Sequence, residues 1–239
     1  LRYTRSIMIL TCASTIEQNM ADHKTDRLSK MFELRKAFMR DLSDSQGVQK
    51  DGASPIDLSL KSEQRHLRDV SLRGVEEVFE ALSELRNSKS HRQTEILDFD
   101  RDKFLEEWVD AFNYFFSVLI LAGYTEDEFF EMYKKKDEAM FSKQREFSEN
   151  FLEHNELTLE EKERLTLQFA ASLQKEVGDI LDGVNYRHHR PTGKEPEIGK
   201  IVHESVDAFR YLLGILNVWG INADDFMDAF EVRDQHLSF

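Results

Sequence analysis

The chain has 239 residues, a net charge of −14, and only 10 Gly and 3 Pro. This length suits one large or two small domains, and a 40% hydrophobic composition with 18 Phe can form a core. The negative charge argues against non-specific binding to nucleic acid, whose phosphates need Lys and Arg, but it allows nucleotide binding through a divalent cation. The single cysteine, Cys12, excludes an internal disulfide and favours a reducing, cytoplasmic location.

Residues 1–19 are expected to lie outside the fold. Their apolar run, Ile7 to Cys12, is too short to span a bilayer. Residues from Met20 onward read like a natural protein start. The apolar run around residues 115–122 is also short, so we expect no membrane partner.

Apolar residues at helical spacing, with no useful β alternation, predict an all-α fold. The predicted helices cover residues 28–42, 70–85, 101–122, 125 to about 147, 159–185, 201–219 and 223–236. Several of them begin at a predicted capping residue. These caps are Asp100, Thr125 with Glu128, Thr158 with Glu161, and Asn222. Gly123 and Gly220 are predicted to end the helices that precede them.

The chain contains an internal repeat. Residues 106–138 align without a gap on residues 203–235, and 11 of the 33 aligned positions are identical. The identical pairs include Glu107/Glu204, Asp110/Asp207, Phe112/Phe209, Gly123/Gly220 and Phe129/Phe226. We therefore predict two related helical halves packed as a pseudo-dimer. The halves span residues 20–147 and 158–239, with a linker at 148–157.

Acidic pairs recur in the same order in both halves. Glu107 and Asp110 share one helix face inside an apolar run, where two carboxylates repel each other unless a divalent cation lies between them. A second acidic pair precedes each central helix, and two antiparallel helices would bring the pairs face to face. The predicted metal ligands are Glu77, Glu80, Glu107 and Asp110, with a second set of Glu176, Asp179, Glu204 and Asp207. Because the chain has 46 acids, any single pair could equally be a solvated helix face.

This order of acids resembles the all-α nucleoside triphosphate pyrophosphatases, the superfamily of MazG-like proteins and dimeric dUTPases. The resemblance lies in an EExxE motif, a spacer of 26 residues and an ExxD motif. The motif residues are Glu76, Glu77, Glu80, Glu107 and Asp110. The family often continues with a helix carrying Lys-Asn, then Asn, Phe and Arg-Gln. In KKKDEAMFSKQ at 134–144, Lys136, Phe141 and Gln144 match, Lys143 stands for Arg, and Asp137 and Met140 replace the two Asn.

The resemblance implies attack of water on the α-phosphorus of a deoxynucleoside triphosphate, with dUTP or dCTP favoured. The products would be the monophosphate and pyrophosphate, and the cofactor Mg²⁺, with Mn²⁺ as a substitute. Glu76 or Glu80 would orient the water or take its proton. Asn113, one turn past Asp110, and the basic residues Lys136 and Lys143 are candidate substrate-binding residues. The resemblance also allows a homodimer.

The two halves are expected to be unequal, with the chemistry in the first. In the second half the shorter Asp179 stands where the first has Glu80, and His203 replaces Glu106. Arg210 could neutralise Asp207 in place of a metal. Two alternatives remain open: a non-catalytic interaction protein whose acidic surface binds a basic partner, and a nucleotide-binding protein without turnover.

Overall fold

A computed structural model describes residues 26–48, 50–85, 99–136, 157–189 and 195–237. All regular secondary structure in these residues is helical, which confirms the all-α prediction. The helices are α1 (Arg27–Ser45), α2 (Lys61–Ser83), α3 (Arg101–Leu121), α4 (residues 126–136), α5 (Leu159–Val184), α6 (Ile198–Val218) and α7 (Ala223–Leu237). Residues 1–19, residues 148–156 of the predicted linker and Lys143 lie outside the described residues. No helix in the described part of the chain combines the length and apolarity needed to cross a membrane.

The predicted helix starts are confirmed by their capping hydrogen bonds. The Asp100 side chain accepts from the backbone N–H of Lys103 at 3.0 Å, and Thr158 forms a full capping box with Glu161. These bonds satisfy backbone donors that the first helical turn leaves without a partner. The remaining predicted caps also form, at Thr125 with Glu128 and at Asn222.

Helix α2 begins earlier than predicted. It starts at Lys61, whereas the spacing of apolar residues predicted a helix from residue 70. The added turns are mostly polar, yet they bury Gln64 and Leu67 on the face that meets the core. An amphipathic helix needs only such a narrow buried stripe, so the polar residues belong to its solvent face.

Helices α3 and α6 end in the same way. Gly123 and Gly220 both have left-handed backbone angles, with φ of +86° and +65°, which glycine adopts without a Cβ clash. In each case the next residue donates a backbone hydrogen bond of 3.0 Å back into the helix, Tyr124 to Leu119 and Ile221 to Leu216. This is the 6→1 bond of a Schellman motif, formed at positions 97 residues apart.

The helices pack in two main pairs around one hydrophobic core. Helix α2 packs mainly on α3, and α5 mainly on α6, while α3 also contacts α1, α6 and α7. Fully buried aromatic residues from four different helices meet in this core. They include Phe32, Phe116, Phe209 and Phe230. Burial of each such side chain contributes about 1.5–3 kcal/mol to folding stability. Because these residues come from both predicted halves, a shared core holds the halves together.

Aromatic contacts cross between the halves in matching pairs. Phe129 lies with its ring centroid 4.8 Å from Phe209, and Phe226, its equivalent in the repeat, lies 4.7 Å from Phe112. Phe112 and Phe209, themselves equivalent, contact each other edge-on at 5.5 Å. Here a contact between two residues recurs between their equivalents in the repeat. Such reciprocal contacts are typical of an isologous interface, the kind formed in a symmetric dimer.

Candidate metal centre

Three of the predicted ligands converge between α2 and α3. Glu77 and Glu80 on α2 and Glu107 on α3 each offer a carboxylate oxygen, and these oxygens lie within 4.8 Å of one another. The helices approach closely one turn before Glu77, at Gly74, where a Cβ atom would lie 3.0 Å from Phe115 and 3.2 Å from the Cβ of Tyr114. The small residue therefore allows the separation at which acids from both helices meet.

Two carboxylates of this group, Glu77 and Glu107, resist ionisation. Burial, followed by the charges of Asp110, Glu80 and Glu107, raises the pKa of Glu77 from 4.5 to about 7. The pKa of Glu107 is raised as well, first by burial and then by Glu80. Near neutral pH, ionising the group therefore costs free energy, which a bound divalent cation would offset. Oxygen donors at this spacing fit a hard cation such as Mg²⁺.

The cations around this group bind other acids. Arg73 pairs with Glu76, and Lys103 with Glu84, at 2.7 and 2.5 Å. Among the residues that the structure describes, none of the ion pairs involves Glu77, Glu80 or Glu107. In the described residues these three carboxylates thus have no ion pair of their own, and the nearby charge of Arg233 only partly lowers the pKa values of Glu77 and Glu107.

Asp110, the fourth predicted ligand, is held by an arginine from the other half. It is 8% exposed, and Arg233 on α7 donates from Nε to both of its oxygens at 3.0 Å and from Nη2 to Oδ2 at 2.5 Å. The remaining nitrogen, Nη1, donates to Glu106. These contacts, with the hydrogen bond to Asp110 first, raise the pKa of Arg233 and keep it charged. Sequence reasoning missed Arg233, and its alignment with Lys136 in the repeat was the only available indication.

The other predicted site residues lie outside the three-carboxylate group. Glu76 is exposed and paired with Arg73. Asn113 is buried on α3, with 4% exposure. Lys136 lies at the second carboxylate set, where its Nζ is 2.6 Å from Asp207 Oδ2 and 2.5 Å from the carbonyl oxygen of His203.

The second carboxylate set also converges, but basic side chains accompany it. Glu176, Asp179 and Glu204 offer oxygens within 4.8 Å of one another, and Glu204 belongs to a further such group with His203 and Asp207. Lys175 lies 2.9 Å from Asp179. Asp207 has two basic neighbours, Lys136 at 2.6 Å and Arg210 at 3.8 Å. Burial raises the pKa of Glu176, whereas Lys175 lowers it. This set therefore has less uncompensated negative charge than the first.

The bases that bind Asp110 and Asp207 occupy equivalent positions. Arg233 and Lys136 are separated by 97 residues, the same offset as the two aspartates, and each reaches into the other half of the chain. Arg233 also contacts position 106, and Lys136 contacts the aligned position 203. The polar contacts are thus exchanged between the halves in the same manner as the aromatic ones.

The chain shows no significant match to any protein-family model, curated protein or solved structure. The interpretation of the site therefore depends on its residues and their geometry.

Proposed function

We propose that the protein is a Mg²⁺-dependent deoxynucleoside triphosphate pyrophosphohydrolase, with dUTP or dCTP as the favoured substrate. The observation that carries the proposal is the convergence of Glu77, Glu80 and Glu107 on adjacent helices, without an ion pair to any of them in the described residues. The EExxE and ExxD order of these acids supports it further. The base preference follows only from the resemblance to dimeric dUTPases.

In this proposal Glu77, Glu80 and Glu107 hold Mg²⁺ or Mn²⁺, with Asp110 as the fourth proposed ligand. The cation supplies neutralisation of phosphate charge and a lower pKa for bound water. Glu80 is the exposed member of the group, so it is placed to orient the attacking water and accept its proton. Water oxygen bonds to the α-phosphorus as the bond from that phosphorus to the bridging oxygen breaks, and pyrophosphate leaves. Glu76 is the second candidate for the base, one turn from Glu80 but paired with Arg73.

We also propose that the two halves form a pseudo-dimer in which the second half completes the site of the first. The exchanged contacts of Lys136 and Arg233 support this arrangement, as do the matching aromatic pairs across the halves. The basic side chains around the second set support an assignment of the chemistry to the first half. A homodimer is not required for such a site, because both surfaces belong to one chain.

The test is release of pyrophosphate from a panel of deoxynucleoside triphosphates, with Mg²⁺ and with a chelator. We expect chelator-sensitive release, and a loss of about 10²-fold or more in Glu107→Gln, as for removal of an important electrostatic group. Asp69→Asn is the matched control, because Asp69 is an exposed acid on α2 paired with Arg68. Circular dichroism would show that both variants remain helical.

Two outcomes would contradict the proposal. Full turnover in Glu107→Gln would remove the carboxylate group from the mechanism. Metal-dependent binding of a triphosphate to the wild-type protein without release of pyrophosphate would instead indicate a nucleotide-binding protein.

A further inference from the structure

Arg233 connects the second half of the chain to the first carboxylate group. We infer that Arg233 and the divalent cation compete for Asp110, and that Arg233, once released, binds the phosphate groups of the substrate. This inference rests on the metal centre of the proposed function. It assigns to a residue of the second half a positioning role in the chemistry of the first.

The competition follows from how Asp110 is bound. Arg233 Nε lies 3.0 Å from both carboxylate oxygens, and Nη2 lies 2.5 Å from Oδ2. Oδ2 thus accepts from two N–H groups and has no lone pair left, so a metal ion that binds both oxygens of Asp110 must displace a donor. A guanidinium is always charged, so it also repels a divalent cation bound to the adjacent glutamates.

The charges around Arg233 also favour its displacement from Asp110 by a divalent cation. Five acids, Glu77, Glu80, Glu106, Glu107 and Asp110, form this acidic region, and Arg233 is the base that pairs with two of them in the described residues. A divalent cation offers Asp110 and the glutamates a stronger counter-charge than one guanidinium, so the exchange is electrostatically reasonable.

The Arg233 side chain is partly open to solvent although its helix is fixed. It is 28% exposed, whereas α7 is anchored in the core by Phe230 and Phe226, one and two turns earlier. The planar guanidinium suits two-point binding of phosphate. Release from Asp110 therefore leaves a charged phosphate ligand beside the carboxylate group.

The equivalent residue Lys136 serves as the internal comparison. It binds Asp207 at 2.6 Å and the carbonyl of His203 at 2.5 Å, at the set that we do not assign to catalysis. Lys136→Met removes the base at the equivalent position, so any gain in metal affinity should lie at the second set.

The experiment uses the full chain carrying Glu204→Gln, which weakens the second set. Mn²⁺ affinity is measured by calorimetry, and binding of inorganic pyrophosphate is then measured on the Mn²⁺-loaded protein. We expect Arg233→Gln to bind Mn²⁺ about 5-fold or more tightly than its parent and pyrophosphate correspondingly more weakly, a size typical of coupled binding sites. The matched control is Arg101→Gln, which breaks an exposed Arg–Asp pair between the same two helices, α3 and α7, and should change neither affinity.

A second variant covers the case in which Arg233→Gln does not fold. Arg233→Lys keeps the charge but cannot hold both oxygens of Asp110 with a fork of N–H donors. It should therefore bind Mn²⁺ more tightly than the parent, by a smaller factor, and should still lose pyrophosphate affinity. A purely structural role for Arg233 would lower both affinities.

The outcomes separate this inference from the proposed function. If the parent protein binds no Mn²⁺, the metal centre is wrong and the inference fails with it. If the parent binds Mn²⁺ but the folded Arg233 variants bind it no more tightly, or retain full pyrophosphate affinity, only the role of Arg233 is refuted.

Discussion

At the scale of single residues, the first carboxylate group is unfavourable for folding. Glu77 is half-buried among acids that lower its tendency to ionise. A Gln at this position would retain most of the shape without the repulsion. The proposed cation would offset this cost, and the cost of ionisation leads to a test in the metal-free protein.

The test compares Glu77→Gln with the wild type across pH. The pKa of Glu77 is about 7 in the folded protein, against a usual 4.5. Between these values the folded state keeps a proton that the unfolded state has lost, so this residue makes stability fall as pH rises from about 4.5 to 7. In chelator, we expect Glu77→Gln to melt above the wild type at pH 8 and close to it at pH 5.

Asp69→Asn, an exposed acid on the same helix, is the control for this comparison. It should show no such difference between pH 5 and pH 8. A melting temperature of Glu77→Gln that follows the wild type at both pH values would contradict the strained environment assigned to Glu77.

At the scale of helices, the site depends on the close contact of α2 with α3. Gly74 faces Phe115 and Tyr114, and Phe115 is fully buried and cannot easily move aside. The same contact lies one turn from Glu77, so the separation of the helices also sets the distance between Glu77 and Glu107. Packing and metal binding should therefore change together.

Gly74→Ala is expected to destabilise the protein by about 1–3 kcal/mol, because the added methyl group overfills this contact. It should also weaken Mg²⁺ binding by pushing the acids of the two helices apart. Urea denaturation and Mg²⁺ titration measure the two effects.

Gly178→Ala on α5 is the control, since a Cβ at that position meets nothing within 4 Å. It should stabilise the helix by about 0.5–1 kcal/mol and leave the first site unchanged. Equal effects of the two substitutions would show that Gly74 has no special role in helix packing.

At the scale of the whole molecule, exchanged contacts join the two predicted halves. Ion pairs also join α1 to α7, Arg27 with Asp224 and Lys30 with Glu231, so the ends of the described chain are packed together. Metal binding at one site should consequently stabilise the entire fold by mass action.

We expect Mg²⁺ to raise the melting temperature, and more at pH 8 than at pH 6. The pH dependence follows because the raised pKa values of Glu77 and Glu107 require deprotonation before a metal can bind. At 100 times the dissociation constant the stabilisation would be about 2.7 kcal/mol. Thermal melts at increasing Mg²⁺ measure it, and a melting temperature independent of Mg²⁺ would argue against the site.

The inequality of the halves is tested by two equivalent substitutions. Glu107→Gln should abolish most turnover and most of the Mg²⁺-dependent rise in melting temperature, whereas Glu204→Gln should retain most of both. The difference is expected because Lys136, Lys175 and Arg210 partly neutralise the second set. Equal losses in pyrophosphate release would indicate two working sites or one shared site.

The features that could be read from the sequence are those set by neighbours along the chain. Caps such as that of Asp100 act over three residues, and the helix end at Gly123 acts over five. The spacing of Glu77 and Glu80 places both on one face of α2, and the apolar spacing after the Asp100 cap places Glu107 and Asp110 on the next helix. These short-range rules predicted the presence of the helices and a set of four acids, three of which meet in the structure.

The partners of Asp110 and Lys136 could not be read in this way. Asp110 is bound by a guanidinium 123 residues away, and Lys136 reaches Asp207, 71 residues away. Neither distance follows from local spacing, because both depend on how the halves pack across Phe112 and Phe209. Local helix patterns therefore determine where the acids of the site lie. Their counter-ions are determined by tertiary packing, because burial of the shared aromatic core brings α7 against α3 and α4 against α6.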